Sequence, residues 1–305
     1  MVYLSSIKYF LDNENPISDL DFLKSDSVVQ NKYAAAGIKS HYKTDKSPSE
    51  MAYWVLSDFL KENKAIQDQI DTVIFTTDNS DGSNDINTLT ANSLLNELGL
   101  SQAFPIFQSF SNCANISACF NTASALVESG RSKNVLVVSV DKMGEKDEDY
   151  MMKPEMSVLS DAAICLWISS TPIEGALKIE GVFLKNNPQQ WLIDRDAEYQ
   201  QYTVNKLKLF KYIANQVKGI TNGKIDHLVL NNYFKHILDM FIGIFKVDKS
   251  IVDMNNVSRM GHAPAGDTFI NLHDLLKNNK IVKGENVVLV GDSPSLCSGI
   301  VLVKI

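Results

Sequence analysis

The chain runs one pattern twice: "IDTVIFTT" (70–77) and "IDHLVLNN" (225–232) each set Ile-Asp ahead of an apolar strand, and each is followed by a helical segment. A strand that is apolar at nearly every position is buried on both faces and needs helices on either side of it. Strand and helix signals alternate around both copies. "SPSEMAYWVLSDFLKEN" is a helix with Ser47 as N-cap, Pro48 at its first position and Glu50 in its first turn. "DINTLTANSLLNELG" is a helix ended by Gly99, and "NVLVVSVD" is a strand. "QQYTVNKLKLFKYIANQVKG", "YFKHILDMFIGIF" and "FINLHDLLKNN" are helices, and "ENVVLVGDSPSLCSGIVLVKI" closes with two strands. The alternation predicts an α/β fold with a mostly parallel sheet covered on both faces. The recurrence predicts two similar halves, 1–172 and 173–305, packed as one body because no low-complexity linker divides them.

Composition excludes several classes. A formal charge of −7 over 305 residues leaves no basic stripe for nucleic acid. "MVYLSSIKYF" runs at once into the acidic "LDNENPISDLD", and the longest apolar runs are far too short to cross a bilayer. The expectation is a soluble, cytoplasmic protein without a membrane partner. Four cysteines with no Cys-x-x-Cys pair, and five histidines that do not cluster, predict neither a disulfide framework nor a metal site.

Only local context distinguishes one cysteine. In "SNCANISACF", Cys113 stands where a strand hands over to a helix, and free amides at a helix start favour a thiolate. Cys119 lies nearly two turns further in; Cys165 and Cys297 sit in strands and read as core. For Cys113 a nucleophile and a small buried side chain both remain open. A nucleophile needs an acid–base partner and donors for an oxyanion. His41 falls in a lysine-rich loop, His227 in a strand, and His236 and His273 on solvent-facing helix positions. His262, in the turn-rich "SRMGHAPAGDTF", is placed where catalytic side chains are usually carried.

Several segments together resemble the β-ketoacyl synthase III-like enzymes of the thiolase fold. From Cys113-Ala114 through "ASALVESGRSKNVLVVSVD" the chain is similar to the family's active-site helix and following strand, which open on Cys-Ala-Gly-Phe. "AAAGIKSHYKTDKSPSEM" resembles the family's "TGIR" turn and helix. "VLSDAAICLWIS" resembles its "FGDGAGAAVL" strand, with Asp161 retained, and "RMGHAPAGDTF…VVLVGD" resembles its C-terminal segment. The resemblance covers nearly the whole chain, with 186–201 compressed. It implies two βαβαβαββ halves in five layers, usually as a homodimer, and an acyl-enzyme on the cysteine. Acyl groups would arrive on the 4′-phosphopantetheine of an acyl carrier protein or of coenzyme A, with no bound cofactor.

The departures from the family pattern are specific. Asn231 stands where the family has its His, and His262 where it has its Asn, so the resemblance implies an exchanged pair. His262 is then the acid–base and Asn231 the donor to a carbonyl or oxyanion. Asp267 either orients the imidazole or caps the following helix. Asn115 replaces a motif glycine. Pro294 stands where a backbone N–H is expected and has none to give, so either a neighbour such as Ser295 supplies it or this donor is lost. The family's adenine-gripping Trp and Arg are absent, which favours a carrier protein over free coenzyme A. Lys206, Lys208, Lys211, Lys235 and Arg259 are either its docking patch or a solvated face, and Phe210 and the "MMKPEM" loop are expected to line the acyl cavity. The predicted function is acyl transfer through Cys113. The alternatives are decarboxylative condensation, or a degenerate subunit in a heterodimer.

Overall fold

The computed structural model describes residues 1–78, 85–109, 111–152, 156–195 and 197–305. The apolar runs form one nine-stranded sheet: β1 (Tyr3–Phe10), β2 (Thr72–Thr76), β3 (Phe104–Phe107), β4 (Asn134–Asp141), β5 (Ala162–Ser169), β6 (Leu177–Asn186), β7 (His227–Leu230), β8 (Asn286–Asp292) and β9 (Leu296–Lys304). Their order is β7-β8-β9-β6-β1-β5-β4-β2-β3. The first half supplies one side of the sheet and the second half the other, joined where β1 pairs with β6. The 172/173 boundary lies in the link between β5 and β6.

The sheet is mixed, not mostly parallel. β2 is parallel to β3 and β4, and β7 to β8, while the other five neighbouring pairs are antiparallel. Strand–helix alternation reveals the parallel crossovers but not the returns, in which β5 runs back along β4 and β9 along β8.

The repeated Ile-Asp has the same task in both halves. Asp71 accepts the backbone N–H of Asn134 at 2.8 Å, and Asp226 that of Asn286 at 2.9 Å. Each aspartate thus fixes the start of the neighbouring parallel strand, β4 or β8. With strand starts fixed, the far ends of β2 and β4, and of β7 and β8, are held level.

Seven longer helices complete the layers: α1 (Ser27–Ala36), α2 (Pro48–Glu62), α3 (Thr88–Glu97), α4 (Asn115–Glu128), α5 (Tyr199–Thr221), α6 (Lys235–Phe245) and α7 (Asp267–Lys277). Helix α2 starts as its sequence predicts, on a capping box between Ser47 and Glu50 with Pro48 first. Strand alternation sorts the side chains. Leu136 and Val138 of β4 pack under α2 and α3, whereas Val135 and Val137 face α4 and α7. On the other side, Val229 and Leu289 face α4 and α7, while Leu228 and Val288 pack under α5 and α6. The result is five layers, αβαβα, the thiolase-like arrangement. In the middle layer Phe120 of α4 and Phe269 of α7 are fully buried, with ring centroids 5.4 Å apart. Truncating either to alanine costs about 3–5 kcal/mol.

Candidate active site

Strand ends and helix starts converge on one place. Asp78 follows β2, Asp141 ends β4, Asn231 follows β7 and Asp292 ends β8. Ligands of α/β sheets gather at the carboxyl ends of parallel strands. The starts of the middle-layer helices α4 and α7 face them, bringing Cys113 and Asp267.

His262 is set by its backbone. Gly261 adopts φ +55°, and a Cβ there would stand 2.3 Å from the Val158 carbonyl oxygen, so only glycine fits. His262 N–H donates to that same oxygen at 2.8 Å, and its carbonyl accepts from Ser160 at 3.0 Å. The ring is fully buried, with Nδ1 2.6 Å from Asp267 Oδ2. Among the described residues Nε2 has no hydrogen-bond partner. Asp267 lies in the first turn of α7 but makes no side-chain cap, so the orienting role open in the sequence is the contact observed.

Asp267 collects two further donors: the Asn231 carboxamide N–H at 2.7 Å and the Asn232 backbone N–H at 2.7 Å. Asn231 Oδ1 in turn accepts the Asp292 N–H at 2.9 Å. Asp292 forms a buried ion pair with Lys206. A continuous chain therefore runs from Lys206 through Asp292, Asn231 and Asp267 to the imidazole. Asn231, expected as a donor to substrate, has its oxygen and one amide hydrogen committed to this chain. Its geometry makes it a support for Asp267.

Cys113 lies in a short 3-10 turn, Asn112–Ala114, just ahead of α4. It is partly exposed, whereas Cys119, Cys165 and Cys297 are buried. Asn112 before it takes φ +49°, a left-handed conformation that asparagine tolerates. Its thiol donates to Asp78 Oδ2 at 3.3 Å. Among the described residues the thiol and the imidazole form no hydrogen bond with each other: the thiol points to Asp78 and Nε2 is unpaired. Asn115, standing at the missing glycine, ties the turn together: it accepts the Ser111 N–H at 2.7 Å and donates to the Thr77 carbonyl at 2.8 Å. The Asp141 carboxylate takes the Thr77 hydroxyl at 2.9 Å and the Asp78 backbone N–H.

The electrostatics reverse the expectation of a thiolate. Burial pushes the Cys113 thiol well above its ordinary pKa, and the charge and hydrogen bond of Asp78, then the charges of Asp141 and Asp267, push the same way. The site has too many carboxylates for the helix start to prevail. Burial opposes a charged His262, yet the Asp267 charge and hydrogen bond, with Asp78 and Asp141, raise its pKa above the usual value. Burial also raises Asp78, against the Cys113 hydrogen bond and the His262 charge.

A cavity of about 580 Å³ opens beside the chain of hydrogen bonds, between α5 and α6. Phe210 lines it as expected, with Met156 from the "MMKPEM" loop, whose residues 153–155 lie outside the described residues. Arg195, Tyr202, Lys206 and Asp292 form its polar wall. Lys206 is therefore no docking residue. It is buried, and Arg259 is likewise engaged, 3.1 Å from Asp274 and 3.0 Å from the Asn256 oxygen. Lys208 and Lys211 are exposed, and Lys235 pairs with Asp239 on the surface of α6. Ser295 turns its hydroxyl to Trp191 Nε1 at 2.8 Å and its carbonyl to Asn187, away from the cavity. His41 is buried against Tyr150 instead of lying in an open loop. His273 stacks edge-on against Tyr9 and bonds Asp274, so it too is not simply solvent-facing.

No cluster of three metal-ligating side chains occurs among the described residues, and none of their helices is long and apolar enough to cross a membrane. Residues 216–305 match the model of the 3-oxoacyl-[acyl-carrier-protein] synthase III C-terminal family. A β-ketoacyl-[acyl-carrier-protein] synthase III of Chlamydia caviae is 25% identical over 264 residues, covering 78% of this chain and 76% of its own. Among solved structures, ChlB3, described as an acyltransferase, superposes with a TM-score of 0.83 at 15% identity over 100% of this chain and 98% of its own. The 3-oxoacyl-[acyl-carrier-protein] synthase III of Aquifex aeolicus superposes with a TM-score of 0.80 at 16% identity, over 99% and 100%. Fold, C-terminal family match and sequence similarity over 78% of the chain agree: the chain is similar to the β-ketoacyl synthase III enzymes and has a thiolase-like fold.

Proposed function

We propose that the protein is an acyltransferase working through a thioester on Cys113. An acyl thioester, carried on the phosphopantetheine arm of a carrier protein or coenzyme A, enters by the cavity between α5 and α6. Its acyl group passes to Cys113 and then to an acceptor nucleophile. His262 Nε2 takes the acceptor's proton as it attacks, and Asp267 holds the ring and stabilises the imidazolium that forms. One observation carries this reading: a buried imidazole fixed through Nδ1, with Nε2 unpaired among the described residues, lies within the electrostatic reach of Asp78, which takes the hydrogen bond of the one partly exposed cysteine.

The alternative reading is decarboxylative condensation. That reaction asks a carboxamide and an imidazole to hold an enolate oxygen together. Condensation has less support, because the Asn231 carboxamide is largely occupied by Asp292 and Asp267. A homodimer is the favoured assembly. Strand β3 is the sheet's edge, paired only with β2, and exposes Phe104 and Phe107 at 69% and 52%. An apolar edge of this kind is normally covered.

The test is intact-protein mass spectrometry after incubation with carrier-bound and coenzyme A thioesters. A gain equal to the acyl group, lost in Cys113→Ala, is expected. No gain from any donor would favour the degenerate-subunit reading. Labelled carbon dioxide released from a malonyl thioester would favour condensation.

A further inference from the structure

The acyl-enzyme reading leaves a question that geometry answers. The Cys113 thiol hydrogen-bonds a carboxylate, not the imidazole. From this we infer that Asp78 is the base that deprotonates Cys113 during acylation, while His262 serves the second half-reaction. The inference rests on the acyltransferase reading and assigns its two proton transfers to two different groups.

Three features carry it. Asp78 Oδ2 is the acceptor of the only hydrogen bond that the described residues offer the sulfur, at 3.3 Å. The backbone that carries this carboxylate is held in place from two directions. Asn115 fixes the preceding Thr77 carbonyl from the Cys113 turn, and Asp141 holds the Asp78 backbone N–H and the Thr77 hydroxyl. Asn115 thereby spans the nucleophile's turn and the base's strand end, a role that a glycine at 115 would lack. Finally, the imidazole is turned to Asp267 and leaves Nε2 open. An unpaired nitrogen suits an incoming acceptor hydroxyl or amine better than a thiol already bonded elsewhere.

The step balances without an added reagent. The Cys113 S–H proton moves to Asp78 Oδ2 as sulfur forms its bond to the thioester carbonyl carbon. The tetrahedral intermediate then collapses, breaking the donor's carbon–sulfur bond. Asp78 returns the same proton to the departing thiolate, which leaves as a free thiol. Asp78 is again ionised, Cys113 carries the acyl group, and His262 has neither gained nor lost a proton. A raised pKa at Asp78 suits this exchange, since a more basic carboxylate accepts a thiol proton more readily.

The sign of the Asp78→Asn effect separates this role from a purely electrostatic one. The Asp78 charge raises the thiol pKa, so a bystander carboxylate slows acylation and its removal speeds it. A base does the opposite. We expect single-turnover acylation by an acyl-N-acetylcysteamine thioester, followed by intact mass, to fall about 100-fold or more in Asp78→Asn. Asp78→Glu should restore part of the rate. In His262→Ala acylation should persist, with its rise in rate against pH centred above the ordinary carboxylate value of 3.8, the direction in which burial moves Asp78. Equal or faster acylation in Asp78→Asn, or loss of the acylation step in His262→Ala, overturns the assignment. If Asp78→Asn does not fold, the Asp78→Glu rate and the His262→Ala pH profile decide it by the same criteria. A wild-type protein that takes no acyl group from any thioester refutes the acyltransferase reading itself, an outcome distinct from either of these.

Discussion

Replacing Asp267 by asparagine probes the whole arrangement at once. The carboxylate is fully buried and accepts three donors: Asn231 Nδ2–H at 2.7 Å, Asn232 N–H at 2.7 Å and His262 Nδ1 at 2.6 Å. A carboxamide has one oxygen, so one side must present an NH2 to a donor. With its oxygen toward Asn232 and His262, it confronts the Asn231 amide. Asn231 cannot simply flip, because its oxygen is held by the Asp292 N–H. At least one buried donor loses its acceptor, a cost of about 1–3 kcal/mol. The imidazole also loses the charge that raises its pKa. A histidine with a raised folded pKa adds stability fully present below its unfolded value of about 6.5 and lost as pH rises through the folded value. The stability gap between wild type and Asp267→Asn should therefore be largest below about pH 6.5 and shrink toward pH 9. Urea unfolding across that range, with the His262 titration followed by NMR, measures both. Transfer from the acylated enzyme should fall by about 100-fold or more. An Asp267→Asn protein whose His262 titrates as in the wild type, with an unchanged stability gap at every pH, would refute the reasoning.

Three other expectations follow from the same contacts. Lys206→Met strands the buried Asp292 carboxylate, so the denaturant midpoint should fall by the equivalent of about 3–5 kcal/mol; no change would mean the pair is solvated. Gly266→Ala forces φ +139° on an alanine and brings its Cβ to 2.7 Å from Ile116 Cδ1, so thermal unfolding should show a loss of about 1–3 kcal/mol. Asp161 is pushed up to about 6 by burial, against the N–H groups of Thr44 and Met143. Its contribution to stability is present below the unfolded value and lost as pH rises through about 6, and a carboxyl titration near the ordinary 3.8 would contradict its burial.

Much of this was legible in the sequence, for physical reasons that differ by residue. The Ser47-Pro48-Glu50 helix start and the doubled Ile-Asp strands are local signals, and they fold locally. Cys113 and His262 stand out in the sequence because a turn before a helix is a recognisable place for a functional side chain. The mixed sheet was missed because antiparallel returns leave no mark in strand–helix alternation. Lys206 was misread as surface, although its spacing to Leu209, Phe210 and Ile213 puts it on the buried stripe of α5. Asp78 was overlooked because nothing in the spacing links "TTDN" to Cys113. Only its place at the carboxyl end of a parallel strand was a usable sign. Asn115 looked like a loss, and the structure gives it two hydrogen bonds that join the nucleophile's turn to β2.

The central claim is that the thiol of Cys113 and the imidazole of His262 share one reaction pocket. Alkylating Cys113 with iodoacetate adds a carboxylate beside the ring, whereas iodoacetamide adds a neutral group of nearly the same size. At ~5 Å and an effective dielectric of ~20 the charge is worth about 3 kcal/mol. NMR titration of His262 should then show a pKa higher by about two units in the carboxymethylated protein than in the carbamidomethylated one. Equal values in the two proteins would contradict the account.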